Sequence, residues 1–153
     1  YEEKKLPLLA NLIAAAPFTS TPVENLNQTL ITAEQLSYQQ LCIVAVVGQN
    51  QWEGALKLSE KPIRDAHKVK FEERISGVYY DIYAMITMGI LLQLRGRGSD
   101  ELKPLLAVGD ITPDSLQLDY PGELLFNAMK LDTIEKRDFD TIVKILQPVS
   151  NSS

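Results

Sequence analysis

The chain has 153 residues, 45% of them hydrophobic, enough to bury one respectable core. Its formal net charge is -5, so phosphate binding would require bases gathered locally, and an anionic membrane surface is disfavoured. A single cysteine excludes an intramolecular disulfide, and a single histidine removes most zinc, Ser–His–Asp and Cys–His chemistry.

The chain begins at Tyr1 with "YEEKK", which reads as a helix entered from upstream in a larger protein. Leu6, Leu9, Leu12, Ile13 and Ala16 then mark one helical face, with Pro7 in the first turn and Pro17 as the stop. In "TPVENLNQTLITAEQL", Thr21 is a cap, Pro22 fits the first helical position and Glu24 completes capping-box spacing. Val23, Leu26, Leu30 and Ala33 follow at helical spacing.

"SYQQLCIVAVVG" repeats the device, with Ser37 as cap and Gln40 three residues on. Its interior is apolar on every side, which predicts a helix buried all round and ended by Gly48. Cys42 falls inside that run and reads as a small buried hydrophobe, consistent with a reducing cytoplasm. Trp52 belongs to a polar turn that follows.

Ile63, Ala66 or His67, and Phe71 predict the next helix. Ile75, Val78, Tyr79, Ile82, Tyr83 and Ile86 predict another, ending at Gly89, with a break near Ser76-Gly77 because a mid-helix glycine costs about 1 kcal/mol. "ILLQL" and "SLQLD" are short enough for strands. Between them lie the turn "RGRGSDE" and "ELKPLLAVG", which has room for one helical turn. "YPGELLFNAMKL" is a helix with Pro121 and Gly122 at its start. "TIEKRDFDTIVKIL" carries Ile134, Phe139, Ile142 and Leu146 at helical spacing. The expected fold is mainly α, a multi-helix domain with a small two-stranded β-hairpin. One compact domain over 1–150 is expected, with a helical pair at 1–36, a core at 37–131, a last helix at 132–147 and a disordered tail at 148–153.

No apolar run reaches the roughly 18–20 residues of a membrane span, so no membrane partner is expected within the chain. The triplets at Asn27 and Asn151 match the glycosylation pattern, but nothing else points to secretion. No phosphate loop, G-x-S-x-G elbow or calcium-loop spacing is present. No cofactor, metal or catalytic residue is therefore assigned. An enzyme with a dispersed carboxylate site is the least supported class.

Lys57, Lys61, Arg64 and Lys68 recur at intervals of four, three and four, and Arg95 and Arg97 sit in the glycine turn. These bases form either the solvated face of a helix and a soluble turn, which is favoured, or a phosphate-contacting surface. Lys61, Arg64, Lys68, Arg95 and Arg97 carry the nucleic-acid alternative, a winged-helix transcriptional regulator.

The run "MITMGILLQL…DSLQLDYPGELLF" resembles winged-helix domains. In these a helix ends in a leucine–glycine-type turn, a hairpin follows, and a Thr–x–x–Gly helix start comes after. Asp119 stands in the Thr position before Gly122, and the segment from Gly96 to Pro113 is long for a wing. The resemblance implies a winged-helix-like core over 37–131. The helix matching the DNA-reading one is "GVYYDIYAMITMG", whose only charge is Asp81, and it lacks Arg, Lys, Asn and Gln. A degenerate winged helix used for protein contacts is thus the preferred reading, with Tyr80, Ala84 and Trp52 as interface candidates. The front of the chain is similar to uncharacterised bacterial domains, some found beside abortive-infection (phage-defence) genes, through Asn11, Leu12, Leu36, Ser37, Tyr38 and Leu41. That similarity implies no catalytic residue. Together these readings give a non-catalytic interaction or regulatory domain of a larger bacterial cytoplasmic protein. It would bind a protein partner or a second copy of itself.

Overall fold

The structure, a computed structural model, describes residues 3–15, 17, 23–66 and 73–148. After a 3-10 turn at Glu3–Lys5, its elements are α1 (Leu6–Ala15), α2 (Val23–Gln35), α3 (Tyr38–Glu53), α4 (Ile63–Ala66) and α5 (Glu73–Thr87). Then come β1 (Leu91–Gln93), β2 (Leu116–Leu118), α6 (Tyr120–Ala128) and α7 (Lys136–Leu146). Among the described residues the fold is therefore mainly helical with one two-stranded antiparallel sheet, as the periodicity implies. The expected caps Thr21 and Pro22, and His67, Lys68 and Phe71, lie outside the described residues.

The central helix α3 organises the core. Its amino end carries a full capping box: Ser37 Oγ accepts from the Gln40 amide, and Gln40 Oε1 accepts from the Ser37 amide. Every residue from Leu41 to Gly48 is buried, Cys42 included. Such a helix cannot present a wet face, so the chain surrounds it with β2, α5, α6 and α7.

Gly48 does not end α3, contrary to expectation; the helix runs through Trp52 to Glu53. Glycine is needed there for approach, because a Cβ would lie 2.6 Å from the Phe126 ring on α6. The stop is Gly54, at φ +67°, whose amide returns to the Asn50 carbonyl. Trp52 consequently lies in the last helical turn, packed edge-on against Phe126 at 5.0 Å between ring centroids.

Two further expectations change. The helix break near Ser76-Gly77 is not there, since α5 passes through both residues. A helix held by a buried edge of Val78, Tyr79, Ile82 and Met85 tolerates one glycine. In α1 the buried face is Leu8, Leu9 and Leu12, while Leu6 and Ile13 are exposed. That face is fixed by where α2 and α6 lie against α1, which the apolar spacing of a short, uniformly hydrophobic helix leaves open. Asn11 bridges helices, donating to the Met129 carbonyl just beyond α6 at 3.0 Å.

In the sheet, Leu91 pairs with Leu118, Leu92 with Gln117 and Gln93 with Leu116. Leu91, Gln93, Leu116 and Leu118 are buried and Leu92 and Gln117 half-buried, the alternation of a sheet with one face on the core. Between the strands the chain first doubles back, with Leu94 bridging Leu102, and then makes 3-10 turns at Val108–Asp110 and Pro113–Ser115. The buried Gln93 amide holds this long connection. Its Oε1 accepts from the Thr112 amide at 2.8 Å, and its Nε2 donates to the Asp110 carbonyl. Gln51 on α3 accepts the Leu118 amide at 2.8 Å, pinning β2 to the central helix.

Candidate functional site

The polar groups worth examining gather where α3 ends. From Gly54 the chain runs back along Leu56 to Lys61, held to the end of α7 by Ser59 N–H donating to the Leu146 carbonyl and by Gln147 Nε2 donating to the Leu56 carbonyl. The Asp114 amide donates to the Ser59 carbonyl at 3.0 Å, which brings the turn before β2 beside the same loop. The glycine turn after β1 delivers Arg97, whose Nη1 reaches the Gly54 carbonyl at 3.5 Å. A guanidinium at this place complements the negative end of the α3 dipole.

These segments enclose an open cleft of about 600 Å³, with Lys57, Lys61, Asp65, Arg97 and Asp114 among its walls. A smaller pocket of about 140 Å³ shares Arg97 and Asp114 with it and reaches Asn50, Ser115 and Gln117. Asn50 is only 1% exposed, and its Nδ2 donates to Asp114 Oδ1 at 3.1 Å. Its Oδ1 is buried without a hydrogen-bond partner among the described residues. Three cations and three carboxylates, counting Glu60, surround the cleft, so its charge is balanced.

The predicted nucleic-acid residues are only partly brought together. Lys61 and Arg97 share the cleft. Arg64 is ion-paired with Asp110, and Arg95 with Glu101 at 3.1 Å. Lys68 lies outside the described residues. Each of these arginine pairs leaves less free charge for phosphate. Among the described residues no group of three His, Cys, Asp or Glu side chains converges as a metal site would require.

The predicted interface residues occupy different surroundings. Tyr80 and Ala84 lie on the outer edge of α5, followed by Met88; Tyr80 is 61% and Met88 46% exposed. Asp81, next to them, accepts from Gln39 Nε2 at 2.8 Å and Gln40 Nε2 at 3.2 Å, so this carboxylate is turned toward the amino end of α3. Trp52 is half-exposed but rests on Phe126. Sequence reasoning missed Asn50 and Asp114 altogether. The one available signal was an asparagine two positions after a buried glycine in an apolar helix, which becomes informative only once its neighbours are known.

Comparison with protein-family models, with curated proteins and with solved structures finds no match to the chain. Among the described residues no single helix is long and apolar enough to cross a membrane.

Proposed function

We propose that the chain is a non-catalytic interaction domain that pairs with a second copy of itself through the outer edge of α5, within a larger bacterial regulatory protein. The observation that carries this reading is the stripe Tyr80, Ala84, Met88. It recurs every four residues and stands in solvent while Val78, Tyr79, Ile82 and Met85 of the same segment are buried. A small residue between two large ones is self-complementary in an antiparallel crossing. With the two-fold axis at Ala84, Tyr80 of one copy meets Met88 of the other, a favourable sulfur–aromatic contact. Asp81, the nearest charge, is already held by Gln39 and Gln40, which removes it from the seam. The bacterial setting of this reading is an expectation from the resemblance at Asn11, Leu12, Leu36, Ser37, Tyr38 and Leu41.

The contact is small, so a weak dimer is expected, with a Kd on the order of 10–100 μM. Because each copy carries a net charge of -5, salt should strengthen association by screening repulsion. A nucleic-acid complex would do the opposite and weaken with salt. Sedimentation equilibrium at rising protein concentration and two salt concentrations tests both. Ala84→Glu should give a monomer with an unchanged melting temperature. A wild-type protein that stays monomeric throughout, or an Ala84→Glu variant that dimerises as well, removes the reading.

A further inference from the structure

We propose that Met88 is a site of reversible oxidation whose sulfoxide releases the α5 seam, an inference that rests on the chain pairing with itself through that stripe.

The chain has three methionines, and the fold treats them differently. Met85 and Met129 are 0% exposed, whereas Met88 is 46% exposed. Peroxides attack the thioether sulfur, so access decides the order of reaction. Met85 and Met129 meet an oxidant only when the core opens, which is rare. Met88 meets it in every unpaired copy. Its place is fixed by the backbone around it. The Met88 amide donates to the Ala84 carbonyl at 2.9 Å, and the Gly89 amide to the Ile86 carbonyl at 3.1 Å. Gly89, at φ +78°, then turns the chain toward β1. Met88 is therefore the last side chain of the stripe, held at its end.

The chemistry needs only a hydroperoxide such as hydrogen peroxide. The sulfur lone pair attacks one peroxide oxygen, the O–O bond breaks, an S–O bond forms and water leaves. Sulfur loses two electrons and the peroxide gains them. Two thiols reverse the change, leaving a disulfide and water, as sulfoxide reductases do. Before oxidation the thioether is apolar and suits contact with the Tyr80 ring of the opposite copy. Afterwards it carries a polar S–O bond whose oxygen must shed water to enter the seam. Two-fold symmetry places two such groups in one dimer, so association should weaken at least tenfold. The coupling is reciprocal: pairing covers the sulfur and slows its oxidation.

The test treats the full chain with hydrogen peroxide and follows each methionine by peptide mapping, which also separates any oxidation at the buried Cys42. At about 5 μM protein, below the expected Kd, Met88 should oxidise at least tenfold faster than Met85 or Met129. At about 500 μM, above that Kd, its rate should fall several-fold. In Ala84→Glu the rate should not depend on concentration. Sedimentation equilibrium of the purified Met88 sulfoxide should show the weakened dimer, and a sulfoxide reductase with a dithiol should restore it. Met88→Leu should dimerise before and after peroxide. Met88→Gln should associate at least tenfold more weakly than wild type without peroxide, at an unchanged melting temperature. The inference is overturned, and the α5 pairing survives, if Met88 reacts no faster than the buried methionines. The same holds if its sulfoxide or Met88→Gln dimerises as tightly as wild type, or if peroxide dissociates Met88→Leu equally. An unoxidised wild-type chain that stays monomeric overturns both.

Discussion

At the scale of single residues, two glycines in helices have opposite reasons for being there. Gly122, in the first turn of α6, is buried, and a Cβ on it would lie 2.3 Å from the Ile90 carbonyl oxygen. Backbone cannot move aside as a side-chain tip can, so Gly122→Ala should destabilise by about 1–3 kcal/mol, despite alanine's better helix propensity. Gly77, inside α5, has no atom of the described residues within 4 Å of its would-be Cβ beyond its chain neighbours and its own helix backbone. Gly77→Ala should therefore stabilise, by up to about 1 kcal/mol. Urea unfolding of the pair checks both signs, and equal effects would show that the α6–Ile90 contact is not tight. Gly122 was visible in the sequence as the last position of a Thr–x–x–Gly-like helix start. Its reason, the Ile90 carbonyl, was not, because it belongs to the turn before another element.

At the scale of elements, local signals were clear where the chain supplies its own partners. The Ser37–Gln40 box closes within four residues, and α3 starts where it predicts. Ser37→Ala should cost about 1 kcal/mol, read as a shifted urea midpoint with an unchanged slope. The end of α3 was misplaced because glycine has two uses. Gly48 serves the approach of Phe126, and Gly54 serves the left-handed stop. Within the connection between β1 and β2, one buried amide, that of Gln93, ties the Asp110–Thr112 turn. Replacing Gln93 with leucine leaves the Thr112 amide unsatisfied in the interior. A loss of about 1–3 kcal/mol is expected. Amide exchange should rise first around Asp110–Thr112, and uniform acceleration over the whole chain would argue that Gln93 matters only for global packing.

At the scale of the whole molecule, the three ends of distant segments meet at Asp138. Lys4 donates to its carboxylate at 3.0 and 3.2 Å, and the Tyr38 hydroxyl donates at 2.9 Å. The hydrogen bond from Lys4 holds the Asp138 carboxyl below its usual value, with Tyr38 adding to the effect and partial burial opposing it. A depressed folded-state value means the stabilisation is complete above about pH 4 and is lost as pH falls through the folded value. Asp138→Asn should therefore lower stability at pH 7 and flatten its decline on acidification. The gap in urea midpoint between the two proteins should be smaller at about pH 3 than at pH 7. A constant gap between them would exclude this carboxylate as an acid-sensitive tie. The Tyr38 phenol is pushed up, chiefly by burial and then by its bond to Asp138, so it stays protonated across the same range.

The sequence by itself determined the mainly helical class, the capped start and buried interior of α3, the two short strands and the position of α7. Each of these rests on residues a few positions apart, and periodicity records such contacts directly. Only the tertiary structure decided which side of α1 is buried, why Gly48 is glycine, and that Asn50, Arg97 and Asp114 share a cavity. Those facts join residues far apart in the chain and carried by different elements, and a single chain carries no local mark of a neighbour that distant.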